Sequence, residues 1–331
     1  MEASFRPFVR FISEKQMQLL EETAKGPKGS WLCDALGDPE LFFALRDERI
    51  DVYYRGRALY SIEFSGGKVT PRTHVKYLVL DDRDPYIKMR NGSFDYKHQY
   101  LQGDYQEKVS LRQMKAAAKT FSGVESMGVY AAIKDDPFVI DVEVAFNRSA
   151  EVTEHDDLDV GRKQDRVDVV RLRRAGGGFD LVFWEAKHFS NQELFNDKIL
   201  SQLAAYQRQL QTREEQLLTA FRNVCRFHHD LDKLRKSLGL DGGSESHLKS
   251  LQDLARGKLA LNVVKEPSLF VFGFDNDQKG GRWKGRKEHF EGVLGKKRLR
   301  AIGDASDGFE PGGKKKGSLL MAISKASQKG S

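Results

Sequence analysis

Three apolar segments in the middle of the chain constrain its fold more than any other feature. Residues 137–146 (PFVIDVEVAF), 166–174 (RVDVVRLRR) and 179–189 (FDLVFWEAKHF) are rich in β-branched and aromatic residues, a composition typical of β-strands. A glycine-rich turn at 175–178 separates the second segment from the third. We therefore expect these two segments to form an antiparallel hairpin that brings Asp168 opposite the stretch from Glu185 to Lys187.

The segments that follow predict the rest of a sheet and its covering helices. A helical pattern extends from about residue 192 to 234, a further strand lies in PSLFVFGFD (267–275), and a short helix lies in KEHFEGVLGKK (287–297). The order β-β-β-α-β-α predicts a mixed β-sheet flanked by helices, which is an α/β fold.

A separate α+β module is predicted before residue 107. Ser13 and Gly26 bound a first helix, and a second short helix is expected over 38–45. Two strands joined near Arg55 and Gly56 follow, with a third strand over 74–80. The tyrosines of the two strands either stack on nucleic-acid bases or pack within the sheet: Tyr53, Tyr54 and Tyr60. We place an accessory module at 1–106, a second domain at 107–300 and a tail at 301–331.

The charge of the chain is concentrated near its end. The net charge is +7, but residues 279–331 contain 14 Lys and Arg against 5 Asp and Glu, which makes the preceding part slightly acidic. The tail at 301–331 has no apolar periodicity, so it is expected to be disordered, and this basic region either stays solvated or contacts phosphate groups.

Two cysteines exclude a disulfide framework, and no apolar run approaches the ~18 residues of a membrane span. We predict a cytoplasmic protein.

Charged residues interrupt two of the apolar strands. Side chains alternate along a strand, so Glu185 and Lys187 share one face at the end of an apolar segment. Charged groups in such a place need a partner, a metal ion or solvent, and a simple ion pair is one explanation. The same acidic-x-Lys triplet occurs at 95–97 and 277–279, but there it lies in polar sequence with no apolar strand before it.

Asp168 turns this pair into a candidate metal site. It interrupts the valines of the preceding strand, and the hairpin brings it beside Glu185. Two carboxylates that leave coordination positions open suit Mg²⁺ or Mn²⁺. A lysine beside them holds a phosphate group or lowers the pKa of the attacking water.

These residues resemble the PD-(D/E)xK nuclease superfamily. The superfamily's motif maps to Asp168, Glu185 and Lys187, although Val167 stands where a proline often precedes the aspartate. Downstream, Gln202 and Tyr206 are similar to the Q-x-x-x-Y motif of the RecB-like branch. The resemblance implies a restriction-endonuclease-like mixed sheet in which that helix contacts substrate or orients the metal ligands.

The resemblance also implies a ligand set and an activity. Asp168, Glu185 and the backbone carbonyl of Ala186 would bind one or two Mg²⁺ or Mn²⁺ ions, and an upstream Glu143 is either a further ligand or a solvent-facing strand residue. The implied function is metal-dependent hydrolysis of phosphodiester bonds, with DNA as the favoured substrate and anti-phage defence or restriction as the setting.

Two alternatives to a self-sufficient nuclease remain open. One is a nucleic-acid-binding or scaffold subunit that kept the fold without cutting. The other is a nuclease that is active only within a homo-oligomer or a defence complex, docked through the N-terminal module.

Overall fold

The computed structural model of the protein describes residues 7–80, 89–94, 101–147 and 164–310. The N-terminal part begins with α1 (Glu14–Lys25), as predicted, and α2 (Ser30–Gly37). Ser13 and Gln16 cap α1 reciprocally, because each side chain accepts a hydrogen bond from the backbone N–H of the other. A four-stranded antiparallel sheet follows in the order β1 (Phe42–Leu45), β2 (Arg49–Tyr54), β3 (Arg57–Ser65) and β4 (Lys68–Arg72).

Two predictions for this part are wrong. The helix predicted over 38–45 is replaced by β1, because Phe43 and Leu45 are buried and pair with β2. The strand predicted over 74–80 is replaced by a 3₁₀ turn at Val75–Tyr77, where His74 Nδ1 accepts the Lys76 N–H at 3.1 Å. In both segments, contacts with distant residues or a side-chain cap decided the conformation against a weak local pattern.

The second sheet has six strands and mixed direction. It contains β7 (Val139–Asn147), β8 (Gln164–Ala175), β9 (Gly178–His188), β10 (Ala260–Val263), β11 (Ser268–Phe272) and β12 (Leu299–Ala301). Strands β7, β8 and β9 are antiparallel neighbours, as the hairpin predicted, whereas β10 and β11 lie parallel to β9 and β12 lies parallel to β11. The predicted α/β class is confirmed. A two-stranded ribbon of β5 (Met89–Arg90) and β6 (Ser93–Phe94) completes the described strands.

Helices flank the second sheet. α3 (Ser110–Thr120) and α4 (Val124–Ile133) precede it, and the later helices are α5 (Lys198–Thr212), α6 (Glu214–Ser237), α7 (Glu245–Ala255), α8 (Asn276–Gly280) and α9 (Arg282–Leu294). The single helix predicted from about 192 to 234 is two helices, because the backbone at Arg213 leaves the helical conformation with φ −119°. The helices of the described residues include none that is long and apolar enough to cross a membrane.

Two apolar clusters lie on opposite faces of the sheet, and β9 contributes to both because its side chains alternate. Phe183 belongs to the larger cluster, which includes Phe146 and Phe221 and extends without a break to Leu20 and Ile50 of the N-terminal part. The smaller cluster contains Val182, Trp184, Phe270 and Phe309. The N-terminal module therefore shares its core with the second sheet.

A buried ion cluster also joins the two parts. Asp141 on β7 is fully buried and accepts hydrogen bonds from Arg10 Nε at 3.2 Å and from Arg46 Nη1 at 2.7 Å. Arg46 additionally donates to the backbone carbonyl of Val142 at 2.8 Å. A fully buried carboxylate needs such partners, so Asp141 fixes β7 against the N-terminal module.

The folded chain continues into the first part of the predicted tail. β12 ends at Ala301, and Phe309 is buried with its ring 5.2 Å from that of Trp184 and 4.8 Å from that of Phe270. The boundary predicted at 300 is therefore too early, because the sequence pattern gave no sign of this aromatic contact. The remainder of the predicted tail, 311–331, lies outside the described residues.

Candidate active site

The candidate site lies where the paired strands β8 and β9 separate, a point that we call the fork. Their pairing runs from the turn at 175–178 to Val169 opposite Trp184, after which β9 continues beside β11 and β8 continues beside β7. Asp168 and Glu185 are the next residue on each strand. The fork therefore places two carboxylates at the point where no ladder hydrogen bonds fill the space between the strands.

Asp168 bridges the fork. Its Oδ2 accepts a hydrogen bond from the Ala186 backbone N–H at 2.7 Å. The carboxylate is closely surrounded by protein but still lines a cavity. Burial raises its pKa well above the ordinary value, and the nearby carboxylates of Glu185 and Glu143 raise it further.

Glu185 is almost completely buried, at 2% exposure. Its Oε1 lies 2.9 Å from Lys187 Nζ and accepts a hydrogen bond from Gln202 Nε2 at 3.0 Å. Burial raises the pKa of Glu185 to about 7, although Lys187 acts in the opposite direction. Its Oε2 is buried and has no hydrogen-bond partner among the residues that the structure describes. An orphaned carboxylate oxygen in such a position is a candidate ligand atom.

Lys187 is shared by three carboxylates. In addition to Glu185, its Nζ lies 3.1 Å from Glu193 Oε2 and 3.6 Å from Glu125 Oε1. Burial alone would lower the pKa of Lys187, but Glu185 and Glu125 raise it above the ordinary value of a lysine. The raised pKa keeps Lys187 positively charged at neutral pH and favours an electrostatic role for it over the role of a base.

The predicted helix pair also reaches the fork. Gln202 and Tyr206 lie one turn apart on α5, and Gln202 Nε2 donates to both Glu185 Oε1 and the Tyr206 hydroxyl oxygen. The Tyr206 O–H in turn donates to the backbone carbonyl of Arg166 on β8 at 2.6 Å. The two side chains therefore link the strand of Glu185 to the strand of Asp168.

Glu143 lies at the edge of the site, in a conformation that the sequence did not predict. Regular strand alternation would put Ile140, Val142 and Val144 on one face, but Val142 packs in the smaller cluster and Val144 in the larger one. The register of β7 shifts between Val139 and Asp141, and Glu143 has a left-handed φ of 53°. A non-glycine residue in that conformation often marks a functional position.

The side chain of Glu143 is half-buried and bound to Arg166. Its Oε2 lies 2.8 Å from Arg166 Nε, and burial raises its pKa despite that guanidinium. Glu143 and Asp168 line the same cavity of about 130 Å³. The structure therefore brings Glu143 close to the acidic pair, but its bound partner is an arginine.

The N-terminal module forms the other wall of this cavity. Tyr53, Arg55 and Gly56 of the β2–β3 hairpin and Tyr130 of α4 face Glu143 and Asp168 across it. The sequence had indicated Tyr53 as a possible base-stacking residue and Arg55 and Gly56 as the junction of two strands, but it did not connect them with the fork. Sequence reasoning missed Tyr130, Glu125, Glu193 and Arg166 as site residues, because no motif marks them and only the tertiary fold brings them to the fork.

The donors at the fork fit a hard divalent cation. Among the described residues, no group of three or more His, Cys, Asp and Glu side chains is arranged to hold a metal ion. Two carboxylates and a backbone carbonyl are nevertheless a sufficient protein contribution to a Mg²⁺ site, since this ion usually retains several waters. The Ala186 N–H faces Asp168, and the carbonyl of a strand residue points to the same side as its N–H.

The electrostatics agree with this fit. Asp168 and Glu185 both have raised pKa values, so their charged forms are disfavoured without a compensating cation. Glu185 Oε2 is the atom that such a cation would satisfy.

Comparison of the chain with family models, with curated proteins and with solved structures found no match. The assignment of a function therefore rests on the geometry of the fork.

Proposed function

We propose that this protein is a metal-dependent nuclease with a restriction-endonuclease-like catalytic domain of the PD-(D/E)xK type. One observation carries the proposal: Asp168, Glu185 and Lys187 meet at the fork of β8 and β9. Two side chains of α5 support them there, since Gln202 is hydrogen-bonded to the Glu185 carboxylate and Tyr206 to the backbone of β8. An ion pair formed for stability alone does not require a second buried carboxylate, a glutamine and a tyrosine around it.

Asp168, Glu185 and the Ala186 carbonyl would hold Mg²⁺ or Mn²⁺, with Glu143 beside them. Such an ion lowers the pKa of a bound water and neutralises charge on the phosphate. The raised pKa values of the two carboxyl groups mean that ion binding competes with protons, so the site fills more readily as the pH rises.

The remaining residues would stabilise charge on the phosphate or orient the carboxylates. Lys187 supplies a fixed positive charge next to the carboxylates, which would stabilise negative charge that develops on the phosphate. Gln202 holds Oε1 of Glu185, and this leaves Oε2 as the oxygen available to a cation. Tyr206 ties α5 to the backbone of β8 and so fixes the helix relative to Asp168.

The test is cleavage by the full chain. Linear and circular duplex DNA, single-stranded DNA and RNA are incubated with Mg²⁺, Mn²⁺ or EDTA, and the resemblance to RecB-like nucleases makes DNA the first substrate to test. Asp168→Asn and Lys187→Met are compared with Asp277→Asn and Lys279→Met, which alter an exposed acidic-x-Lys triplet on α8. We expect metal-dependent cleavage by the wild type and by both α8 variants, and none by the two fork variants.

Cleavage that survives Asp168→Asn would show that the fork is not the catalytic site. A role in anti-phage defence stays a prediction from the resemblance.

A non-cleaving nucleic-acid-binding protein is the second candidate. It is favoured by the ion pairing of Lys187 with three carboxylates, which already satisfies much of the local charge without a metal. Binding of nucleic acid without cleavage in Mg²⁺ and in Mn²⁺ would support this candidate over the nuclease.

A further inference from the structure

A second and larger cavity opens beside the candidate site. It is a groove of about 970 Å³ between the N-terminal sheet and the paired ends of β7 and β8. Tyr53, Gly56 and Glu143 line both this groove and the cavity that contains Asp168. The groove is therefore adjacent to the cavity that Asp168 lines.

Basic side chains outnumber acidic ones in the lining of the groove. They come from both parts of the protein and include Arg49, Arg57, Lys76, Arg166 and Arg213. Some of this charge is neutralised locally, since Arg49 pairs with Asp51 and Arg166 pairs with Glu143.

Two of the groove cations lack an acidic partner within the described ranges. Arg57 makes no ion pair there, and its buried Nε has no hydrogen-bond partner. The guanidinium nevertheless lies close enough to Glu143 to counteract the rise in that residue's pKa. Lys76 Nζ lies over the rings of Tyr77 and Phe121, at 5.0 and 5.1 Å from their centroids, and makes no ion pair with a described carboxylate. Both cations are available to an anionic ligand.

We propose that this groove binds the sugar-phosphate backbone of a single-stranded nucleic acid and leads it to Asp168 and Glu185. A groove that contains several cations and adjoins the cavity of Asp168 suits a polyanion that binds through several phosphates and places one of them at the fork. This inference deepens the proposed nuclease function and rests on it for the cleavage step.

The narrow cavity favours a single strand over a duplex. Asp168 and Glu143 line a space of only about 130 Å³, which Tyr53 and Gly56 of the N-terminal module and Tyr130 of α4 also line. The backbone of a duplex is held in a stiff double helix and cannot enter such a space unless base pairs are broken first. A single strand can bend into it without that cost. The N-terminal module is then one wall of the substrate path.

The test separates binding from cleavage. Asp168→Asn in the full chain serves as the background, and labelled single-stranded DNA, single-stranded RNA and duplex DNA of equal length are titrated at several salt concentrations. The double substitution Arg57→Gln with Lys76→Gln is compared with Lys249→Gln and Lys258→Gln, which remove the same charge from α7 and the loop after it.

We expect the groove variant to bind single strands at least tenfold more weakly than the background at low salt, and the control variant to bind them unchanged. Loss of two phosphate contacts should reduce the slope of log K against log salt by about 1.4 for a single strand. Lys76→Gln alone is a second, milder variant because this side chain is not part of the core. A duplex that binds as tightly as a single strand, or equal weakening by the control pair, overturns the proposal.

The outcomes also distinguish the two proposals. If the wild type cuts no nucleic acid in either metal but the groove variant loses single-strand binding, the groove stands and the nuclease fails. If the wild type cuts, and the same double substitution made in the wild-type chain cuts with unchanged KM, the nuclease stands and the groove fails.

Discussion

The Asp168 carboxylate accepts a hydrogen bond from the Ala186 backbone N–H, with 2.7 Å between the oxygen and the nitrogen. This bond joins β8 and β9 just beyond the last pair of their ladder, Val169 and Trp184. It fixes the side chain of Asp168 to the backbone of the residue that follows Glu185. Two like charges are consequently held together in a partly enclosed site, and this costs stability until a cation or a proton neutralises them.

Glu185→Gln should remove a pH-dependent destabilisation. The pKa of Glu185 is about 7 in the folded protein, against 4.5 for the free side chain, so the folded state binds this proton more tightly than the unfolded state. Stability is therefore lost as the pH rises from about 4.5 through 7. We therefore compare how far the free energy of unfolding, measured in EDTA, falls between pH 4.5 and pH 7. The decrease should be larger for the wild type than for Glu185→Gln, by on the order of 3 kcal/mol.

Urea unfolding at pH 4.5 and 7.5 measures this difference. Asp277→Asn, an exposed carboxylate on α8, controls for the loss of one negative charge. Added Mg²⁺ at pH 7.5 should stabilise the wild type more than Glu185→Gln. A difference between wild type and Glu185→Gln that does not change with pH would contradict the raised pKa of Glu185 that its burial produces.

Lys187→Met should abolish activity and also lower stability. The ammonium balances Glu185, Glu193 and Glu125, and its removal leaves those carboxylates facing one another. We expect cleavage to fall by about 10³-fold, which corresponds to about 4 kcal/mol of lost transition-state stabilisation.

The pH profile separates a fixed cation from a base. Because the pKa of Lys187 is raised, the wild-type rate should show no decrease from lysine protonation between pH 9 and 7. Lys187→Arg keeps the charge and should retain more activity than Lys187→Met. Equal rates for the two variants would show that the positive charge is not what matters.

Asp141→Ala should lower the stability of the protein by weakening the contact between the N-terminal module and the second sheet. The substitution leaves the buried guanidinium of Arg10 without its carboxylate partner, and leaves Arg46 with Asp51, at 3.4 Å from its Nε, in place of two carboxylates. Loss of one partner of a buried ion pair costs about 3–5 kcal/mol. We expect a decrease of that size in the free energy of unfolding, measured by urea denaturation.

An exposed ion pair provides the control for Asp141. Glu63→Ala breaks the pair between Glu63 and Arg72 on the surface of the N-terminal sheet, and should cost no more than ~1 kcal/mol. Similar losses for Asp141→Ala and Glu63→Ala would mean that the buried cluster does not hold the two parts together.

Local patterns were sufficient to predict the centre of the site. The glycine turn and the two-residue period placed Asp168 beside the strand of Glu185 and Lys187, and helical spacing placed Gln202 and Tyr206 on one face. Each of these relationships depends on residues near one another in the sequence, where turn chemistry and periodicity apply.

Relationships between distant segments could not be predicted in this way. Glu125 lies 62 residues before Lys187, and no pattern in α4 indicates that its first turn faces β9. Alternation failed at Glu143, because a register shift and a left-handed residue change which face each side chain occupies. Contacts made by tertiary packing decided the outcome in both places.

Gly56→Ala should distort the cavity at the candidate site. Gly56 has φ +73°, and an added Cβ would lie 2.7 Å from Ser126 Cβ and 3.7 Å from Glu143 Oε1. The first distance is shorter than van der Waals contact allows, so the β2–β3 turn and α4 must move apart next to Glu143 and Asp168. We expect cleavage to slow by roughly tenfold or more, because small displacements of catalytic groups are costly.

Gly67→Ala is a matched control for this prediction. Gly67 has nearly the same backbone conformation, with φ +72°, but an added Cβ would have no atom within 4 Å, since this residue occupies the open β3–β4 turn. Both substitutions cost about 1–2 kcal/mol for a side chain in the left-handed region. Only Gly56→Ala should lose more stability than this and also cleave more slowly. The melting temperature measures the stability, and the cleavage rate of the same samples measures the activity. If both variants keep the wild-type rate, the β2–β3 turn does not form a wall of the active site, and the role of the N-terminal module must be sought elsewhere on its surface.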